Sequence, residues 1–149
     1  MSFGLHWGIV PIILANLATG GDPLYAMAGV CGFAQVGVAV AIFFKTKDNK
    51  LKALSGSAIL PGALSGVTEP IIYGLLMPYR KTLFYVIIGG ALGGAINGSL
   101  NVKMISFAFA SFLSIPTNAP ILSYCIGAAA AFITAIMLTF ILGYETKEK

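Results

Sequence analysis

Of the five acidic residues in this 149-residue chain, one stands inside a long apolar run. The stretch GVTEPIIYG, Gly66 to Gly74, sets Glu69 directly before Pro70. A charge in apolar surroundings is costly unless it is paired or hydrogen-bonded, and a proline inside a helix removes a donor and clashes with the preceding turn. Gly66 and Pro70 together favour an unwound turn, which would free backbone N–H and C=O groups. A carboxylate beside such groups suits a neutral, hydroxyl-rich ligand, and an ionisable residue at membrane depth is a functional candidate by default. Thr68 and Tyr73 could add hydroxyls. The plainer reading keeps Glu69 as a structural carboxylate bonded to a neighbouring helix.

A second candidate group precedes it. In GLHWGIVPI the lone histidine, His6, can donate and accept hydrogen bonds, and Trp7 offers an aromatic face for a sugar ring. Asn16 follows as a buried-type amide. Each has an equally simple structural reading. Cys31 and Cys125 are far apart and belong to no CxxC motif, so they read as small buried hydrophobes. There is no serine–histidine–acid arrangement, no phosphate-binding glycine loop and no metal-ligand cluster. No self-contained enzyme and no cofactor is expected.

The elements that must hold these residues are membrane helices. Hydrophobic residues make up 58% of the chain and charged residues 9%, with a mean hydropathy of +0.91. Soluble domains carry roughly 25% charged residues, and barrel strands alternate apolar with polar residues. Continuous apolar runs therefore predict an all-α integral membrane protein. The net charge is +4, but the basic residues lie in clusters near segment ends rather than on an aromatic-rich face, which argues against nucleic acid as a partner. Met1 to Val10 lacks the basic start and cleavage pattern of a signal peptide.

Three segments are long enough to cross a bilayer: Tyr25 to Phe44, Leu83 to Leu100 and Ile121 to Leu142. Gly4 to Ala18 is shorter and contains Pro11. Leu54 to Met77 and Met104 to Ala119 are interrupted, and both read as re-entrant, broken segments. Positive residues favour the cytoplasmic side. If Leu54 to Met77 dips in and returns, the basic loop at 45–53, Arg80 and Lys81, and the tail at 143–149 all lie in the cytoplasm, and Lys103 alone lies outside. Irregular backbone at membrane depth needs a protein cover or a water-filled cavity, and broken helices form the sites of many transporters. The helix IIGGALGGAING pairs Gly89 with Gly93, Gly90 with Gly94 and Gly94 with Gly98, a spacing that permits close helix packing in lipid.

GLHWGIVPI, GVTEPIIYG and IGGALGGAI resemble the C-terminal half of enzyme IIC, the membrane permease domain of the bacterial phosphoenolpyruvate-dependent sugar phosphotransferase system. The branch is the glucose superfamily, and Trp7 after His6 resembles the β-glucoside type. Gly66, Val67, Thr68, Glu69 and Pro70 match that family's hallmark turn. The resemblance covers essentially the whole chain and implies a single partial domain over 1–149, the transport-domain half of a permease. It implies that Glu69 and His6 hold sugar hydroxyls, with Thr68, Trp7 and Asn16 as further contacts. Glu69 would then be placed to take a proton from the hydroxyl that is phosphorylated. The phosphoryl group would come from a phosphocysteine on a soluble IIB partner, itself supplied through IIA, so no catalysis is expected of this chain alone.

A full IIC domain of the family is implied to be about twice this length and homodimeric, with an N-terminal group of helices absent here. The chain therefore reads as a split gene product, a remnant or an excised piece working with that missing half in the inner membrane, in contact with lipid. The rival reading is a non-transporting remnant or a helical interaction module.

Overall fold

The computed structural model describes residues 6–144, with only the backbone of His6. Helix α1 (His6–Ala18) carries Pro11 within it. A tight turn at Thr19–Gly21 leads to α2 (Pro23–Ala28) and α3 (Val30–Lys45), which run on as one rod past Gly29. Then come α4 (Asn49–Ser65), the short α5 (Glu69–Ile71) with a π-helical turn (Ile72–Leu76), and α6 (Arg80–Ser99). A two-residue strand β1 (Lys103–Met104) pairs antiparallel with β2 (Asn118–Ala119) around a 3₁₀ helix (Phe112–Thr117), and α7 (Ile121–Leu142) closes the order.

Three helical rods are long and apolar enough to span a membrane: Pro23–Lys45, Arg80–Ser99 and Ile121–Leu142. They coincide with the three spans read from hydropathy. At 1.5 Å per residue each is about 30 Å long or slightly more, the thickness of a hydrocarbon core.

Contacts between side chains fix their directions. Phe33 meets Tyr124 near the starts of α3 and α7, with ring centroids 6.1 Å apart, and the Lys45 ammonium donates to the carbonyl of Phe140 at 2.6 Å near their ends. So α3 and α7 run parallel. The Tyr85 hydroxyl, early in α6, donates to the Gly143 carbonyl at 2.8 Å, so α6 runs antiparallel to both.

Glycine spacing explains the tight bundle. A Cβ added to Gly93 would lie 2.5 Å from the Gly127 carbonyl oxygen, and one at Gly89 would lie 2.8 Å from the Ala131 oxygen. On its other side α6 presents Gly90 to Cys31 (3.3 Å to Sγ) and Gly94 to the Met27 carbonyl (3.0 Å). The repeat thus serves two interfaces, one row against α7 and one against the α2–α3 rod.

The segment from α4 to the π turn folds back on itself. Ile71 Cδ1 approaches Gly62, and Leu54 approaches Gly74, so residues on the two arms meet in antiparallel order. The basic segment expected as a loop over 45–53 is shorter than that. Only 46–48 leave the helical state. The Asp48 carboxylate accepts from the Lys50 N–H at 2.9 Å and caps α4, which pulls Asn49 onward into helix.

Lys45 sits at the end of α3, Lys52 lies over the Phe43 ring at 5.3 Å, and Tyr79, just before Arg80, meets Tyr144 at 5.5 Å. These basic clusters therefore share one end of the bundle, while Lys103 follows the far end of α6. With Cys31 and Cys125 replaced, cysteines at Asp48 and Arg80 should react with a membrane-impermeant maleimide from one side and a cysteine at Asn101 from the other. Gly93→Ala should lower the stability of the solubilised chain by about 1–3 kcal/mol, the usual cost of overpacking, read as a drop in the thermal unfolding midpoint.

Candidate functional site

The two broken segments meet where the sequence placed its chemistry. Helix α4 stops because Gly66 adopts a left-handed conformation, φ 75°, and donates its N–H back to the Pro61 carbonyl; Val67 N–H reaches the same oxygen at 3.3 Å. This is a glycine-terminated helix end. Four residues after Gly66, Pro70 stands in the first turn of α5, where no helical partner is needed for its missing N–H. The break therefore sits between two helix ends, and Thr68 and Glu69 occupy its tip.

Against this tip runs the extended stretch Phe107 to Ala110, from the second broken segment. A Cβ on Gly66 would lie 2.8 Å from the Ala110 oxygen and 2.9 Å from Phe109 Cβ; one on Gly29 would lie 3.2 Å from Ala110 Cβ. Glycine at both positions lets the two backbones touch. Gly32 lies roughly 20 Å along the rod from Lys45 at helical rise, which sets this meeting point well inside the span.

Between them lies a cavity with about 110 Å³ open to water-sized occupants, several times the space that one water needs. Gly66, Val67, Thr68 and Glu69 form its hairpin wall. Trp7, Tyr25, Phe107 and Phe109 form an aromatic wall. Those rings touch in a row: Trp7 to Phe109 at 6.5 Å and Phe109 to Phe107 at 5.9 Å, both T-shaped, and Phe107 to Tyr25, tilted, at 6.0 Å. A mostly apolar hollow with a few polar groups is the usual form of a small-molecule site. The carboxylate can accept hydrogen bonds from hydroxyls, and aromatic faces cover the apolar side of a ring.

The candidates from the sequence divide as follows. Glu69, Thr68, Gly66, Val67 and Trp7 come together at the cavity. Thr68 is buried, whereas Glu69 and Trp7 are exposed. Pro70 and Tyr73 are exposed and lie outside the lining. The His6 side chain is outside the described residues, although its backbone begins α1 beside Trp7. Asn16 is not part of the lining; its amide donates to Asp22 Oδ1 at 2.6 Å.

Glu69 is exposed at the unwound tip, on the edge of the cavity. Among the described residues, the fully buried carboxylate is Asp22, at 0% exposure. Tyr25, Phe107, Phe109, Gly29 and Gly32 were not foreseen as lining. The alternation in SFAFASF, Ser106 to Phe112, was a readable signal, since a two-residue period sets Phe107 and Phe109 on one side of an extended chain.

The family model described as "Phosphotransferase system, EIIC" matches residues 1–90. The chain belongs to this EIIC family. Among relatives, the glucose-specific EIIBCA component of Corynebacterium glutamicum is 35% identical over 147 residues, covering 96% of this chain and 22% of the relative. The β-glucoside-specific EIIBCA component of Dickeya chrysanthemi is 35% identical, covering 98% of this chain and 24% of the relative. The sucrose-specific EIIBC component of Salmonella typhimurium is 37% identical, covering 83% of this chain and 27% of the relative. The chain thus spans about a quarter of the length of the curated relatives it matches. No solved structure matches it. EIIC is a membrane domain, and with three spanning helices the chain is a multi-pass protein of the bacterial inner membrane.

Gly66 combines a left-handed backbone with close contacts to Phe109 and Ala110. Gly66→Ala would place a side chain in a left-handed conformation, at about 1 kcal/mol, and would force Phe109 and Ala110 away. The expected result is a lower unfolding midpoint together with greater quenching of Trp7 by acrylamide, as its contact with Phe109 loosens.

Proposed function

We propose that this chain is the sugar-contacting part of a phosphotransferase-system permease. It would hold a sugar near mid-membrane and present it at the basic, cytoplasmic end for phosphorylation by a IIB partner. The observation that carries this reading is the convergence of the Thr68–Glu69 tip and the Trp7–Phe109–Phe107–Tyr25 rings on one cavity. In this reading both broken segments enter the membrane and return, the hairpin from the cytoplasmic side and the 104–119 segment from the other.

Each side chain then has a role. Glu69 accepts hydrogen bonds from sugar hydroxyls and is placed to take the proton of the hydroxyl under attack, a contribution typically worth about 10²–10⁴-fold. His6 and Thr68 supply further polar contacts, and the rings cover the sugar's apolar face. The names of the relatives support the partnership, since they are fused EIIB, EIIC and EIIA components. The helices that relatives carry beyond this region, and a second protomer, complete the permease.

For the sugar we propose a β-glucoside. Trp7 directly after His6 supports it, as do β-glucoside-specific relatives at 35% and 44% identity. Other relatives are named for glucose, mannose and sucrose, so the test is a competition.

Trp7 is the chain's one tryptophan, and its emission reports binding directly. In the full chain in lipid nanodiscs, an aryl β-glucoside should compete better than glucose, mannose or sucrose. Glu69→Gln should weaken binding by about tenfold or more, as expected for losing a charged hydrogen-bond acceptor. Unchanged affinity in Glu69→Gln would remove Glu69 from the site, and a stronger response to another sugar would reassign the substrate.

A further inference from the structure

Buried Asp22 joins three segments, two through its carboxylate and the third through its backbone. Its Oδ1 accepts from the Asn16 amide of α1 at 2.6 Å. Its Oδ2 accepts from the Tyr25 N–H at 2.7 Å and caps α2. Its own backbone exchanges both hydrogen bonds with Met104 of β1, each at 2.9 Å. Each of these segments leads to one part of the aromatic wall. Helix α1 begins next to Trp7, α2 contains Tyr25, and β1 runs on into Phe107 to Ala110.

The tether matters most for α1. Among the described residues of α1, Ile13 alone is buried, while Trp7, Ile9, Ile12 and Leu14 are all exposed. With so little side-chain burial, the Asn16–Asp22 hydrogen bond and the Trp7–Phe109 ring contact carry much of its attachment within this chain. Asp22 is buried and Asn16 half-buried, and a hydrogen bond to a carboxylate is stronger than one between neutral groups.

We infer that Asp22 is a positioning residue for the cavity: its carboxylate holds α1, with Trp7, in register with α2, with Tyr25, over the Phe107–Ala110 stretch to which its backbone is tied through Met104, without touching the ligand. The inference rests on the sugar-site reading for its functional meaning but not for its geometry. Its role is to supply acceptors rather than charge. An asparagine could still accept from Tyr25 N–H, and could donate to Asn16 once that amide turns over.

The test uses the full chain in lipid nanodiscs with three variants: Asp22→Ala, Asn16→Ala and Asp22→Asn. Two readouts are taken on the folded fraction: acrylamide quenching of Trp7 without sugar, and sugar affinity by titration. Asp22→Ala and Asn16→Ala should both increase quenching of Trp7 and weaken sugar binding by about tenfold, the scale of one lost buried hydrogen-bond partner. Asp22→Asn should restore most of both. If Asp22→Ala lowers only the unfolding midpoint, while folded protein keeps wild-type quenching and affinity, Asp22 is merely structural and the inference fails. It fails equally if Asp22→Asn behaves like Asp22→Ala, because charge would then be the requirement. If the wild-type chain binds no sugar yet the quenching pattern holds, the tether stands and only the sugar reading falls.

Discussion

A backbone group buried away from water must find its hydrogen-bond partner within the protein, so every interruption of a buried helix has to be closed by the chain itself. The fold follows from how this chain meets that demand. At the end of α4, Gly66 and Val67 return their N–H groups to Pro61, and α5 restarts with a proline that has no N–H to satisfy. In the second broken segment the backbone is closed by the β1–β2 pair and by Ser114, whose hydroxyl accepts from Ser111 N–H and donates to the Ser111 carbonyl, each at 2.9 Å. Between α1 and α2 the closure is Asp22 with Met104. Only after these closures is there room for an unwound tip with an exposed carboxylate.

The rest of the molecule is a frame for those tips. The α2–α3 rod, α6 and α7 approach so closely that Asn97 can reach across α6's interface, donating to the Ala26 carbonyl at 3.0 Å. Its Oδ1 has no hydrogen-bond partner and lies directly against Gly127, leaving no space for a Cβ there. The frame is therefore built from glycine and alanine surfaces with little side-chain freedom. The cavity walls, by contrast, come from segments with short helices, extended chain and a left-handed turn. The rigid part and the irregular part meet along Gly29 and Gly32.

Local pattern was enough to read the spans, because long apolar runs have few other outcomes, and enough to single out Gly66 to Pro70, because glycine, carboxylate and proline together defy an ordinary helix. Asp22 escaped the same reading. TGGDP looks like any polar turn, and what buries it is a pairing with Met104, far away in sequence, that no local rule reveals. Asn16 was noticed for its polarity, but its partner was that same hidden carboxylate. The short 46–48 connection was legible in principle, since Asp48 before Asn-Lys-Leu is a capping pattern, but the density of lysines drew it as loop. The aromatic wall depended on bringing Trp7, Tyr25 and Phe107 together from three parts of the chain, which only the tertiary fold does.

The parallel course of α3 and α7 has a consequence for how the protein is made. Every residue that faces the cavity precedes Ser111, whereas α7 begins at Ile121. A ribosome working from the N-terminus therefore delivers the described cavity lining before α7. Helix α7 then packs against α3 and α6, pointing the same way as α3, and only its arrival gives the Lys45 ammonium the Phe140 carbonyl that it holds. Within the described residues, the latch closes after the lining is made.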